Sequence, residues 1–534
     1  MTETNSRPRT PMFADEHIDV ALIYPPVAKP GEPPAGVAQL KNALQAHGVS
    51  GRVIDANLEG LLHLLETPLT PNDTTLRDAQ RHRVRNIERM RRQTALSRFD
   101  RYKASVLEIN RVLQAAAQPY RSNISLTDFR HESLSPARSA DLLGAAERPQ
   151  DNPFFSYFEK ELRPRLERLQ PRLFGVSLIF LSQALTAFAL IGWLRANFPG
   201  VRIIVGGGLM TSWMSRPDWH DPFRGLIDAC IAGPGEAALL REWGTTPNAT
   251  HFLPNYDDAP WDAYFSPGRI LPYSASAGCW WRKCAFCPET AEQNGYAPTP
   301  PSQVIDDLRA LAEHQPALIH FLDNALSPAL LKRLADEPPP APWYGYVRFT
   351  DDLLDLNFVR KLRRSGCVTL KLGLESGDQS VLDGMQKGIE LAQVSAVLNN
   401  LKRAGIAAYV YLLFGTPWEG ETEARRTLQF VADHADCINW LNAAIFNLPA
   451  HSDEAQRRAT RSFYEGDLTL YHDFDHPQGW SRAKVRHFLQ NEFCRHPAIR
   501  PILLANPPAF TSNHAPFFTD HFAKARAYAD RLAV

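Results

Sequence analysis

Cysteine is scarce in this chain, with seven among 534 residues. So few thiols in so long a chain exclude a disulfide framework, and an odd number leaves one unpaired. An excess of either charge is lacking too: Lys+Arg and Asp+Glu stand at 58 each, which removes any global electrostatic argument for a nucleic-acid partner or an acidic membrane surface. The N-terminal stretch MTETNSRPRTPMFADEH has no apolar core before its acidic residues, so no signal peptide is expected. One segment does imitate a membrane span. FGVSLIFLSQALTAFALIGWL, residues 174–194, carries no charge, and about 20 such residues would cross a bilayer. Ser182 and Gln183 stand where a strand would end and a helix begin, and Arg195 and Pro199 close the segment. It therefore reads as a buried strand, a turn and a helix, and no membrane span is expected.

The same alternation organises the N-terminal half. IDVALIY (18–24) reads as a strand, PPVAKPGEPPAG as a loop, VAQLKNALQAHG as a helix and RVIDAN as a second strand. The rhythm resumes at FGVSLIF, VRIIVGGG and DACIAGPGEAALLREW. Strands alternating with helices, with glycines at the strand ends, predict a doubly wound parallel sheet that binds ligands at the carboxyl ends of its strands. Those ends are Pro25 to Gly36, Gly206 to Gly208 and Gly233 to Glu236. Residues 66–170 interrupt the pattern with an Arg-rich, helical-period stretch. Its interspersed acidic residues favour a solvated face over a phosphate grip.

From about residue 250 proline-rich connectors separate six short apolar runs: ILPYSAS, ALIHFLDN, WYGYVRFT, VTLKLGLES, AAYVYLLFGTP and INWLNAAIF. Helical stretches lie between them, which predicts a parallel barrel or partial barrel. The expected domains are 1–250, containing the 66–170 insertion, then 251–450, then a C-terminal extension at 451–534.

Three of the seven cysteines fall in GCWWRKCAFCPE, as Cys279, Cys284 and Cys287, spaced C-x4-C-x2-C. A zinc site wants four ligands from two knuckles, and no second knuckle follows nearby. Cys230, Cys367 and Cys437 sit alone in apolar segments and read as buried small residues, and Cys494 is isolated. Three thiolates without a fourth match an iron–sulfur cluster with one iron left open, a vacancy that suggests chemistry there.

At this point the chain resembles the radical S-adenosylmethionine superfamily, through the cysteine loop and the strand–helix run to about Asn447. The family pattern is C-x3-C-x2-C with an aromatic residue before the last cysteine. Phe286 takes that aromatic place, while the first cysteine gap is one residue longer. The resemblance implies a [4Fe-4S] cluster on the three cysteines and contacts to S-adenosylmethionine from the later strands. LIHFLDNALS offers Asp323 and Asn324 near the ligand's amine. YVRFTDD offers Arg348 for its carboxylate, as a charge-assisted fork. LKLGLESGDQSVLDGMQKG offers Glu375 and Ser376, although ESGDQ also reads as a turn. YLLFGTPWEGET offers Gly415 and Pro417 beside the adenine. It further implies reductive cleavage of S-adenosylmethionine to a 5′-deoxyadenosyl radical, with the protein binding, orienting and excluding water. Trp280 and Trp281 suit that shielding and equally suit plain packing. The oxygen-sensitive cluster implies a cytoplasmic setting and a flavodoxin or ferredoxin as electron donor.

A doubly wound sheet before such a barrel resembles the cobalamin-binding subfamily, many of whose members transfer methyl groups. Its D-x-H-x-x-G signature is absent. DEHIDV precedes the first strand and lacks the glycine, so His17 reads as a surface residue. Cobalamin would then bind histidine-off, on Gly206, Gly207, Gly208, Gly233, Gly235 and Glu236; otherwise the sheet only shapes the substrate cavity. The expected function is a cobalamin-dependent methyltransferase in a biosynthetic pathway. The alternatives are a radical enzyme without cobalamin, doing a rearrangement, cyclisation or oxidation, and a non-catalytic iron–sulfur or zinc protein. The substrate is open. The C-terminal aromatics Phe463, Tyr464, Tyr471, Trp480, Phe510, Phe517 and Phe518 either wall a pocket or join the core.

Overall fold

The computed structural model describes residues 17–70, 73–92, 99–249, 251–463 and 466–519. Tyr464 and the side chain of Phe510 lie outside them. Five strands form the first sheet: β1 (Val20–Ile23), β2 (Gly51–Ile54), β3 (Leu173–Ser177), β4 (Arg202–Gly206) and β5 (Ala229–Cys230). All pair in parallel, in the order β2-β1-β3-β4-β5, as the doubly wound reading expects. Chain order reverses between β1 and β3, and the carboxyl ends on either side of such a switch form a crevice.

The membrane-like run divides as its sequence suggests, into β3 and a helix at Leu181–Asn197. Gln183 fixes the break. Its buried amide donates to the Pro25 carbonyl at 2.7 Å, and its oxygen accepts the Ile179 and Phe180 N–H groups at 2.9 and 3.0 Å. Those are backbone donors the helix start would otherwise leave unpaired. Among the described residues, no helix is long and apolar enough to cross a membrane.

The 66–170 stretch is more than a solvated face. Its helices Thr74–Arg91 and Phe99–Ala117 turn Met90, Tyr102, Val106 and Ile109 into one continuous core with β3 and the helix after it. Most of the arginines stay on the outer side of that amphipathic pair, while Arg91 turns to the Ala263 and Tyr264 carbonyls.

The second sheet has six parallel strands in chain order: β6 (Ile270–Tyr273), β7 (Leu318–Phe321), β8 (Trp343–Val347), β9 (Cys367–Glu375), β10 (Ala407–Phe414) and β11 (Trp440–Ile445). All six coincide with the runs predicted from sequence, and they make a partial barrel. Alternation along β9 shows how the wall is built. Leu370, Leu372 and Leu374 point outward and share one core with the helices at 301–310, 356–364 and 391–404. Lys371, Gly373 and Glu375 take the other face, that of the lumen. A three-stranded antiparallel sheet (448–449, 460–462, 471–474) and a helix at Arg482–Asn491 follow, forming the C-terminal extension. Within it Trp480 and Phe518 are buried in the core, while Phe463, Tyr471 and Phe517 are partly buried.

Candidate functional site

The cysteine loop leaves β6 at the barrel mouth. Gly278, immediately before Cys279, has φ +71°, and a Cβ there would lie 2.3 Å from the Gly295 carbonyl oxygen, so only glycine allows the turn. The Ala285 N–H donates to the Met385 carbonyl at 2.9 Å and the Trp281 indole N–H to the Gln386 carbonyl at 3.3 Å, tying the loop to the segment after β9. Cys284 is buried, while Cys279 and Cys287 are partly exposed. None of the seven cysteines is in a disulfide, and Cys367 and Cys437 are buried as expected while Cys230 is only partly so.

Two cations stand over the loop. Arg348, at the end of β8, is buried, with its guanidinium 4.2 Å from the Trp281 ring centre and 3.7 Å from the Cys284 sulfur. It also donates to the Lys387 carbonyl. The Lys387 ammonium pairs with Glu375 at 2.8 Å and sits 5.5 Å from the Phe286 ring. Burial raises the Cys284 thiol while Lys387 and Arg348 oppose that rise; Cys287 is pushed up to about 11, chiefly by burial. A thiol that coordinates a metal is deprotonated outright, so these values belong to the free thiols. Three thiols on one loop, flanked by two buried cations, fit the anionic charge of a thiolate-bound cluster. Among the described residues, no three His, Cys, Asp or Glu side chains gather as a metal site.

Of the residues proposed to contact S-adenosylmethionine, Phe286, Arg348 and Glu375 converge beside the cysteine loop. Glu375 adopts φ +68° at a register shift in the ladder, and this turns its carboxylate toward Lys387. Asn324 is exposed at the end of β7. Asp323 is buried and accepts from the Ala275 N–H (3.0 Å) and the Ser276 hydroxyl (2.5 Å), so it braces the strand that feeds the loop. The Ser376 hydroxyl turns away, to Thr427 Oγ1 at 3.0 Å and the Asp378 N–H at 3.2 Å. Gly415, φ +78°, lines a small cleft with Ile445, Phe446, Arg461 and His476, and Pro417 is buried in the adjoining turn.

Two residues escaped the sequence reading. Lys387 lies in the MQKG tail of the stretch that offers Glu375, but nothing in its spacing marks it as that residue's partner. Glu419, in the WEGET turn, is fully buried, and burial pushes its acid up to about 8. It accepts from the Gly415 N–H and from the Trp480 indole at 3.2 Å, while its second oxygen has no partner.

The first sheet offers a cavity of about 260 Å³ at its carboxyl ends. Gly206, Gly207, Gly208, Gly233, Gly235 and Glu236 all line it, as does Gly36, with Leu22, Leu40, Ile204, Ile231 and Leu239 as apolar walls. A Cβ on Gly36 or Gly233 would meet no atom within 4 Å, so the backbone there is bare toward whatever enters. His17 is exposed.

Residues 273–431 match the radical SAM superfamily. Those residues carry a radical SAM domain. Among curated proteins it is 25% identical over 192 residues to an uncharacterized methyltransferase of Pyrococcus horikoshii, covering 33% of this chain and 40% of that one. It is 27% identical over 176 residues to bacteriochlorophyllide d C-12(1)-methyltransferase of Chlorobaculum tepidum, covering 30% and 37%. The chain thus spans less than half the length of these relatives. Among solved structures it resembles the radical SAM methyltransferase TsrM of Kitasatospora setae with cobalamin and [4Fe-4S] cluster bound (TM-score 0.50, 14% identity, 82% of this chain and 76% of that one). It also resembles the cobalamin-dependent radical enzyme OxsB with aqua-cobalamin bound (TM-score 0.50, 13% identity, 80% and 54%). Those likenesses concern the fold, and the fold covers both sheets.

Proposed function

We propose that this radical SAM enzyme is a cobalamin-dependent methyltransferase, holding a [4Fe-4S] cluster on Cys279, Cys284 and Cys287 and a histidine-off cobalamin on the first sheet. One observation carries the reading: the loop at the carboxyl end of β1 runs into the barrel. Glu32 of that loop meets His320 of β7 at 2.9 Å, so the ligand-binding edge of the first sheet opens toward the barrel lumen. The folds of TsrM and OxsB, whose structures hold cobalamin, support it.

The cavity fits a cobalamin nucleotide tail, since apolar walls suit a flat base and bare glycine backbone suits its polar linker. When bound, the cluster and cobalamin would supply one-electron reduction of S-adenosylmethionine and a transferable methyl group. The chain's own residues do the rest. Arg348 supplies a fixed fork for a carboxylate. Glu375, held by Lys387, presents an acceptor to an amine or a ribose hydroxyl. Trp280, Trp281 and Phe286 exclude water from the cysteine loop. An electron donor such as flavodoxin or ferredoxin and a cytoplasmic setting belong to this proposal. The test is cobalt bound by the full chain together with S-adenosylhomocysteine formed beside 5′-deoxyadenosine. Iron and cleavage without cobalt would favour the cobalamin-free radical enzyme.

A further inference from the structure

Parallel barrels ordinarily fill their interior with branched apolar side chains. Here the lumen face is lined differently. β7 contributes His320, β8 Tyr344 and Tyr346, β9 Lys371, β10 Tyr409 and Tyr411, and β11 Asn442, which is exposed. Tyr346 and Tyr411 are half-buried, with ring centres 5.2 Å apart. This wall is mainly aromatic and polar, and Tyr346, Tyr411 and Asn442 are its more exposed members.

Lys371 is the anomaly within it. Its side chain is 3% exposed, and its ammonium rests 4.9 Å from the ring centres of both Tyr344 and Tyr346. No hydrogen bond or ion pair reaches it among the described residues, whereas Lys387, one layer nearer the cysteine loop, has Glu375. The charged groups nearest Lys371 are otherwise engaged. Glu32 accepts from His320 and from the Asn513 amide at 3.1 Å, and Lys29 donates to the Ser512 hydroxyl at 2.7 Å. The Tyr344 hydroxyl is likewise buried without a partner, its ring stacked on His320 at 4.5 Å. A buried cation and a buried hydroxyl with no acceptor are costly unless something else supplies one. Burial, with Lys29 adding to it and Glu32 opposing, pushes the Lys371 ammonium down to about 7, and a bound anion would restore its charge.

We infer that Lys371, with the Tyr344 hydroxyl, anchors the carboxylate of the substrate inside the barrel lumen. The inference rests on the lumen being the substrate chamber of the proposed enzyme. The Lys371 ammonium in an aromatic wall matches a monoanion on an apolar body; the charge of nearby Lys29 is offset by Glu32, and a phosphate dianion would want more cations than that. Lys371 lies four residues down β9 from Glu375, about 13 Å at strand spacing. That distance sets the carboxylate at the far end of a substrate whose reacting carbon points to the barrel mouth.

The test is reductive methylation of the full-length, cluster-reconstituted protein, with labelling of Lys371 followed by peptide mass spectrometry. Phenylacetate is the probe and phenylacetamide its uncharged control. At a phenylacetate concentration about ten times its dissociation constant, Lys371 labelling falls about tenfold, and phenylacetamide leaves it unchanged. Equal protection by both, protection by neither, or a Lys371 that never labels would overturn the assignment. Tyr344→Phe removes only a hydroxyl; it keeps Lys371 reactive and weakens phenylacetate protection several-fold, and unchanged protection would remove Tyr344 from the anchor. No S-adenosylmethionine or cobalamin enters the assay, so its failure is distinct from a failure to form 5′-deoxyadenosine.

Discussion

The two sheets of this protein present their carboxyl ends in opposite chemical styles. The barrel mouth is built from charged and sulfur-bearing side chains: Cys284, Arg348, Lys387 and Glu375 lie within contact of one another. The edge of the first sheet is built from backbone. Seven of the eight glycine and glutamate positions that line its cavity carry no side chain at all, and its walls are aliphatic. Side-chain charge can hold a metal cluster and a zwitterion by electrostatics. Bare backbone and apolar walls hold a large flat ligand by shape and by peptide hydrogen bonds. On the proposed reading, one topology makes two sites for two kinds of ligand, and each should break independently of the other.

The largest effect is expected at the cysteine loop. Cys284→Ala abolishes bound iron and formation of 5′-deoxyadenosine, while Cys367→Ala, buried against the helices, leaves both in place; iron analysis and product chromatography decide. Next comes Arg348→Met, which keeps the cluster's visible absorption but lowers S-adenosylmethionine cleavage about 10- to 100-fold, the worth of hydrogen bonds to a charged partner. On the other sheet, Gly36→Leu places bulk in the cavity at a helical position where no atom lies in the way. It should weaken cobalamin uptake about tenfold or more, a loss of roughly 1.4 kcal/mol, with iron content unchanged and helix propensity improved. A variant that lost cobalt and iron together would erase the distinction between the two sites.

A separate effect, on stability rather than on ligands, concerns Glu419. Its folded-state acid stands at about 8, above the ordinary 4.5, mainly through burial. The unfolded chain therefore gives up this proton first as pH rises, and the wild-type protein loses stability progressively from about pH 4.5 to about 8. Glu419→Gln lacks that titration. The variant's melting temperature relative to wild type should climb across that window and level off above it; a constant difference would show that Glu419 ionises normally.

Much of this was legible in the sequence because it was written in runs. Each barrel strand is a short apolar stretch bounded by proline or glycine, and VRIIVGGG announces a strand end by its glycines. The cysteine loop was legible because three of the seven thiols fall within nine residues, a crowding that a shared cluster requires and a disulfide does not. What could not be read were relations across the chain. Lys387 and Glu375 are twelve residues apart on either side of a short helix, and their pairing depends on the positive φ of Glu375. The helices of the 66–170 stretch showed an amphipathic period, yet nothing local says that Met90 and Tyr102 share a core with β3. Lys371 looked like any lysine in a strand until the barrel closed around it. Ser376 was legible as part of a motif, though its hydroxyl is spent on Thr427 and the following turn.

The most direct measurement uses protein purified and reconstituted without oxygen with iron, sulfide and hydroxocobalamin, then given reductant and S-adenosylmethionine. The account predicts about four irons, bound cobalt and 5′-deoxyadenosine, with Gly36→Leu losing the cobalt alone and Cys284→Ala losing the iron and the product. A wild-type protein that holds its cluster and binds no cobalt would contradict the two-site account.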